Sequence, residues 1–139
     1  MPKNRAIILQ AGPKTVAAAL DFVADACREW GVTQAACFKL SLAVDEAVSN
    51  ILQHAYQGQP GDIELRIGVK GSDVWIELRD WGPFFDPTTV PQPSLQAPLE
   101  KRDVGGLGIH LMRQAVDELV YRREGDVNIL RMVKRGALP

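Results

Sequence analysis

Three segments of the chain space their apolar residues every three or four positions, as amphipathic helices do. The predicted helices run from Pro13 to Trp30, from just after Thr33 to about His54, and from Ile109 to Leu119. Proline suits the first turn of a helix, and Thr33 suits the N-cap position of the second helix. Gly31 suits the position just beyond the end of the first helix.

Five shorter runs show the two-residue alternation or the apolar composition of β-strands. They cover 5–10, 63–70, 74–79, 120–123 and 127–133. Glycine-containing turns join the second strand to the third and the fourth to the fifth, so each pair is predicted to form a hairpin. Three helices on one face of a mixed, mostly antiparallel sheet form a two-layer α/β sandwich of the α+β class. We expect one domain over residues 1–139.

Asp80 falls on the inward-facing row of the third predicted strand, two residues after Leu78. A carboxylate in that row is costly unless it has a partner. Two interpretations stay open. Either the strand continues and Asp80 points inward, where it can accept a hydrogen bond from the exocyclic amine of adenine, or the strand ends at Arg79 and Asp80 opens a turn. Gly82, two residues further on, would let a flat base lie against the backbone.

Composition and charge describe an ordinary soluble globular protein. Hydrophobic residues make up 46% of the chain and charged residues 24%, and the net charge of −1 gives no electrostatic reason to bind nucleic acid or an anionic membrane. Cys27 and Cys37 lack metal or redox spacing, which indicates free thiols in a reducing compartment. The sequence has neither a membrane span nor a signal peptide pattern. We therefore expect a cytoplasmic protein without direct contact to nucleic acid or membrane.

Glu46, Asn50 and His54 follow one another at intervals of four residues on the second predicted helix, so they line one flank beside its buried face. The amide oxygen of Asn50 suits Mg²⁺, a cation that prefers oxygen ligands. Glu46, one turn away, could accept a proton from an attacking hydroxyl group. A solvated carboxylate is the alternative for Glu46, and we interpret His54 as structural.

Gly105, Gly106 and Gly108 form a cluster just before the third predicted helix. They follow a long aperiodic segment from Asp86 to Asp103, and segments of this length are usually functional lids or disordered inserts. Glycines at a helix start let the backbone approach a ligand, and the free N–H groups there suit phosphate. A flexible turn is the alternative, because the cluster matches neither the P-loop nor the Rossmann pattern.

Taken together, these residues resemble the N, G1 and G2 boxes of the GHKL ATPases in both order and spacing. The motifs are Glu46-x3-Asn50-x3-His54-Ala55-Tyr56, then Asp80-x-Gly82-x2-Phe85-Asp86-Pro87, then Gly105-Gly106-Leu107-Gly108. The resemblance extends over about residues 5–135. The small, single-domain branch of anti-sigma-factor serine kinases is the most similar, because it shares the His-Ala-Tyr, Phe-Asp-Pro and Gly-Gly-Leu-Gly sequences.

The resemblance implies the Bergerat ATP-binding fold, with ATP and Mg²⁺ between helices and sheet. It implies that Glu46 is the general base, Asn50 the Mg²⁺ ligand and Asp80 the adenine reader. The implied ATP-binding residues are Asn50, Asp80, Gly82, Phe85, Gly105, Gly106, Leu107 and Gly108. To these, charge adds Lys101 and Arg102 of the lid, which could neutralise the triphosphate. Many relatives carry a threonine near the adenine reader where this chain has Asn128, which could supply a polar group instead.

The function implied is phosphorylation of a serine on a small antagonist protein, together with sequestration of a sigma factor or a similar partner. Relatives are dimers, so a homodimer is possible. Two alternatives stay open: a nucleotide-binding partner-switch module without catalysis, and a simple ATP hydrolase.

Overall fold

The computed structural model describes residues 3–89 and 104–139. Lys101, Arg102 and most of the predicted lid lie outside these residues. The secondary structure elements in chain order are β1 (Asn4–Gln10), α1 (Thr15–Trp30), α2 (Gln34–Asn50), a π-helical turn (Ile51–Tyr56), β2 (Asp62–Lys70), β3 (Asp73–Asp80), a short 3-10 turn (Pro87–Thr89), α3 (Val104–Ala115), β4 (Glu118–Glu124) and β5 (Val127–Lys134).

The five strands form one sheet in the order β1-β2-β3-β5-β4, and every neighbouring pair in it is antiparallel. One row of paired residues crosses all five strands: Ile7, Leu65, Leu78, Leu130 and Tyr121. These side chains belong to the hydrophobic core or pack against it. The predicted α+β sandwich is confirmed, although the described sheet is wholly antiparallel and not mixed.

The core lies between the sheet and the helices. Val23 of α1, Leu40 and Val44 of α2, Ile76 of β3 and Met132 of β5 have no exposed surface. Each such side chain contributes about 1.5–3 kcal/mol relative to remaining exposed. Helix α2 packs against both α1 and α3, and its residues Ala47 and Asn50 share a pocket with Asp80 of β3 and Leu130 of β5.

Local signals set the helix boundaries around α1 and α2. Gly31 adopts a left-handed conformation with φ of 75°, and its N–H bonds to the Cys27 carbonyl. Thr33 caps α2 as predicted, because its hydroxyl accepts a hydrogen bond from the Ala36 N–H at 3.2 Å. The predicted start of α1 at Pro13 is wrong by two residues. Helix α1 begins at Thr15, whose hydroxyl donates to the Gln10 carbonyl at 2.6 Å.

The end of the third helix was predicted four residues too late. Helix α3 ends at Ala115, and Leu119 belongs to β4, where it pairs with Met132. The Asp117 N–H already bonds to the Val133 carbonyl at 2.8 Å, so the sheet begins before the apolar spacing changes. Among the described residues, the helices are too short or too polar to cross a membrane.

Candidate functional site

A pocket opens between α2 with its π-helical turn, α3, and the adjacent ends of β3, β4 and β5. Its lining is mostly apolar, with a few polar side chains. The residues that line it are Ala47, Asn50, Ile51, Ala55, Asp80, Phe85, Pro87, Met112, Tyr121, Asn128 and Leu130. An apolar cavity with a few convergent polar groups is typical of a small-molecule site.

Asp80 forms the polar end of this pocket. Strand β3 continues through Asp80, which pairs with Ile63 on one side and Asn128 on the other and is only 6% exposed. The interpretation that Asp80 opens a turn after Arg79 is therefore wrong. The Gly82 N–H at 3.0 Å and the Asn128 amide at 2.9 Å both donate to Oδ1 of Asp80, and in the part of the chain that the structure describes Oδ2 accepts no hydrogen bond.

Burial raises the pKa of Asp80, and the two hydrogen bonds and the charge of Arg123 oppose this shift. Asn128 therefore fills the role considered for it from the sequence. It stands directly opposite Asp80 in the sheet register and supplies a donor to the carboxylate.

Glu46 of α2 lies against Gly108 of α3. A Cβ atom placed on Gly108 would stand 2.6 Å from Oε2 of Glu46, so the carboxylate occupies the space that any larger residue would need. Burial raises the pKa of Glu46, and the neighbouring charge of Asp45 raises it further. A carboxylate with a raised pKa is a stronger proton acceptor at neutral pH than a solvated one. Glu46 thus has the surroundings of a general base.

Asn50, one turn beyond Glu46, is 7% exposed and lines the pocket. Its Nδ2 atom is buried and has no hydrogen-bond partner among the described residues. An unsatisfied buried amide costs about 1–3 kcal/mol, so a ligand that completes its bonding would be favoured. An amide oxygen is also a suitable Mg²⁺ ligand, and this site fits that ion when the ion arrives with phosphate oxygens and water.

The helix beyond Asn50 departs from the prediction. Residues 51–56 form a π-helical turn, so His54 does not continue the four-residue spacing of Glu46 and Asn50 in an α-helix. The His54 ring instead stacks on Phe85, with ring centroids 4.7 Å apart and planes 19° from parallel. This contact holds the predicted site residue Phe85 at the pocket. π-helical turns often occur at functional sites.

Gly82 has a packing role that the sequence did not predict. A Cβ atom there would lie 2.6 Å from the Ala55 Cβ and 3.0 Å from the Ala55 carbonyl oxygen. The glycine is thus required by packing between the loop after β3 and the π-helical turn. The expectation that Gly82 also lets a base lie against the backbone stays a prediction.

The glycine cluster also differs from the prediction. Helix α3 already begins at Val104, so Gly105, Gly106, Leu107 and Gly108 lie within its first turns and do not form a loop before it. The first N–H groups of a helix have no hydrogen-bond partner within the helix, and such groups can bind phosphate. Phosphate binding by this segment stays a prediction.

Sequence reasoning gave no role to Tyr56, Tyr121 and Arg123. The Tyr56 hydroxyl donates to the Asp62 carbonyl and accepts from the Trp81 N–H at 3.0 Å, so it links the ends of β2 and β3. Tyr121 and Arg123 both bond to Asn128. The sequence does contain a signal for Tyr121 and Arg123. They lie two residues apart on β4 and so face the same side of the sheet, where an arginine needs a hydrogen-bond partner.

An acid and an amide one turn apart on a helix, a buried strand-end carboxylate and a glycine-rich helix start are the features expected of a nucleotide-binding ATPase domain. The family model for the histidine kinase-like ATPase domain matches residues 9–134, and the chain belongs to this family.

Named relatives are protein kinases. The serine/threonine-protein kinase BtrW of Bordetella bronchiseptica is 35% identical over 101 residues, which are 72% of this chain and 71% of BtrW. The serine-protein kinase RsbW of Oceanobacillus iheyensis is 29% identical over 96 residues, which are 66% of this chain but only 61% of RsbW. A crystal structure of the RsbU and RsbW domains of a Mycobacterium tuberculosis protein matches with a TM-score of 0.69 at 16% identity. The match covers 95% of this chain and 32% of that one, and it shows a shared fold.

Proposed function

We propose that this chain is a cytoplasmic ATP- and Mg²⁺-dependent protein kinase that phosphorylates a serine on a small antagonist protein. In the same switch it sequesters a sigma factor or a similar regulator. The observation that carries the proposal is the placement of the Glu46 carboxylate against Gly108, one turn from the unsatisfied amide of Asn50. The kinase names of BtrW and RsbW support it.

In this proposal the pocket binds the purine of ATP, and Asp80 Oδ2 accepts a hydrogen bond from its 6-amino group. The apolar lining of the pocket excludes water from the base. Asn50 would hold Mg²⁺ through its amide oxygen, together with the phosphates. The bound ion would supply charge neutralisation for phosphoryl transfer.

Glu46 is the proposed proton acceptor for the serine hydroxyl. Its raised pKa favours proton uptake as the hydroxyl attacks, and Gly108 leaves the space that its Oε2 atom occupies. In the proposal, Gly105, Gly106 and the first N–H groups of α3 would lie beside the phosphates of the ligand. There they would stabilise developing negative charge. Phe85, Leu107, Lys101 and Arg102 complete the proposed ATP site.

The decisive experiment uses the antagonist protein that co-purifies with the chain from its native host. We expect label from γ-labelled ATP to reach this protein, and Glu46→Gln to slow transfer by about 10²–10⁴-fold while ATP still binds. Asp25→Asn is the control, because this exposed carboxylate lies on α1 and pairs with Arg28, away from the pocket.

Three outcomes would contradict the proposal. Equal transfer by wild type and Glu46→Gln removes the base assignment. Binding of ATP without any transfer indicates the non-catalytic switch module. Steady release of phosphate without a protein partner indicates a simple hydrolase.

A further inference from the structure

Arg123 lies on the row of β4 that faces the helices. It alternates with exposed residues and shares its row with Leu119 and Tyr121, both of which pack against the core. A guanidinium in that position is costly unless its N–H groups are bonded. Arg123 Nη1 donates to Asn128 Oδ1 at 2.9 Å and to the Gly82 carbonyl at 3.2 Å. Both acceptors are neutral oxygens, and among the described residues Arg123 forms no ion pair.

These bonds determine which way the Asn128 amide points. Its oxygen accepts from Arg123 and, at 2.6 Å, from the Tyr121 hydroxyl. Its nitrogen therefore faces Oδ1 of Asp80 at 2.9 Å and the Pro83 carbonyl at 3.0 Å. If the amide turned by 180°, its oxygen would face the Asp80 carboxylate, and two acceptors would oppose each other.

We infer that Arg123 is a positioning residue for nucleotide recognition, which acts through Asn128 to keep one oxygen of Asp80 available as an acceptor for the purine. This inference rests on the proposed function, because it needs a purine in the pocket. The 6-amino group of ATP donates a hydrogen bond and benefits from this acceptor. The 6-oxo group of inosine triphosphate is itself an acceptor and does not.

The chain offers a matched control for Arg123 in its neighbour. Arg122 points to the other face of the sheet, where it lies 3.7 Å from Glu77 and 3.0 Å from Glu124. Arg123→Met and Arg122→Met each remove one guanidinium from β4, but only the first removes a bond to Asn128. The experiment measures the affinities for ATP and for inosine triphosphate by calorimetric titration and by competition, and compares their ratio between the variants.

We expect Arg123→Met to lose about tenfold or more in ATP affinity and little in inosine triphosphate affinity, so the ratio falls. The KM for ATP rises while kcat at saturating ATP stays near the wild-type value, because the contact is at the base. Arg122→Met keeps the wild-type ratio. Arg123→Lys retains the charge and one donor, and we expect an intermediate ratio.

An unchanged ratio in Arg123→Met overturns the inference, as does an equal loss for both nucleotides with a lower melting temperature, which would indicate a merely structural residue. If Arg123→Met does not fold, Arg123→Lys decides, and a wild-type ratio in that variant is contrary to the inference. Wild-type protein that binds no ATP refutes the proposed function itself. Protein that binds ATP and depends on Asp80 but not on Arg123 refutes this inference alone.

Discussion

Replacing Gly108 by alanine adds one methyl group that faces the Glu46 carboxylate. The new Cβ would stand 2.6 Å from Oε2, and contacts closer than 3.4 Å are rare for real Cβ atoms. The oxygen must therefore retreat by about 0.8 Å, the difference between these two distances, to reach ordinary van der Waals contact. The Glu46 Cδ is already 3.6 Å away, so the displacement is confined to the end of the side chain.

Gly108→Ala should have opposite effects on stability and on catalysis. Alanine is favoured over glycine within a helix by about 1 kcal/mol, so α3 gains stability or stays unchanged. A catalytic group misplaced by about 1 Å can cost about 100-fold in rate. We expect Gly108→Ala to slow phosphoryl transfer about 10- to 100-fold with an unchanged or higher melting temperature and with ATP still bound.

The assay measures transfer of labelled phosphate to the antagonist protein, with calorimetry for ATP binding and thermal melting for the fold. The Gly108→Ala, Glu46→Gln double variant tests whether the methyl group acts through the carboxylate. Because both changes disable the same group, the double variant should be no slower than Glu46→Gln alone. Gly12→Ala is the control, since nothing lies within 4 Å of a Cβ added there.

Two results would refute this reasoning. Wild-type transfer by Gly108→Ala would mean that the exact position of the Glu46 carboxylate does not matter for the reaction. A double variant in which the two losses multiply would mean that Gly108 affects the rate by a route other than Glu46.

Three further predictions concern Asp80 and the packing near it. Asp80→Asn should lower ATP affinity about tenfold or more, because an amide N–H replaces the acceptor offered to the purine; an unchanged titration would contradict the adenine assignment. The same variant should unfold at higher urea concentration than wild type at pH 7. The raised pKa of Asp80 means that the folded state binds the proton more tightly, so ionisation of this group costs stability above that pKa. The difference should vanish well below the ordinary aspartate pKa of about 3.9, where the carboxyl group is neutral in both the folded and the unfolded protein, and a gain that persists there would exclude this cause. Gly61→Ala should destabilise the fold by about 1–3 kcal/mol, because the added methyl group would overlap the Tyr56 ring, and a wild-type melting temperature would contradict this packing.

The features that local chemistry determines were predictable from the sequence. The Thr33 cap and the Gly31 helix end depend on neighbouring residues only, and both are confirmed. The boundary between α3 and β4 near Leu119 was not predictable, because the apolar spacing of this segment suits a helix as well as a strand. Pairing of Leu119 with Met132 decides in favour of the sheet. The prediction therefore failed where a contact distant in sequence competes with a local pattern.

The site shows the same division. Glu46 and Asn50 could be singled out because they lie four residues apart on one flank of a helix, and Asp80 because it falls on the inward-facing row of a strand. The packing of Gly82 against Ala55 depends on the π-helical turn, and no spacing rule predicts that turn. Contacts between two elements decide these details, so a single sequence read along its length cannot supply them.

The polar groups of the pocket are costly in the protein alone, and that cost indicates what the pocket is for. Among the described residues, three buried side-chain atoms lack a hydrogen-bond partner, and two of them belong to Asn50 and His54 beside this pocket. Burial also raises the pKa of Glu46 and Asp80, so their ionised forms are less stable here than in water. A fold selected for stability alone would replace these groups with apolar ones. A ligand that bonds to them recovers part of the cost, and at 100 times its Kd any such ligand adds about 2.7 kcal/mol to the free energy of unfolding. The acid, amide and carboxylate therefore support the proposal that this pocket binds a cation-bearing nucleotide.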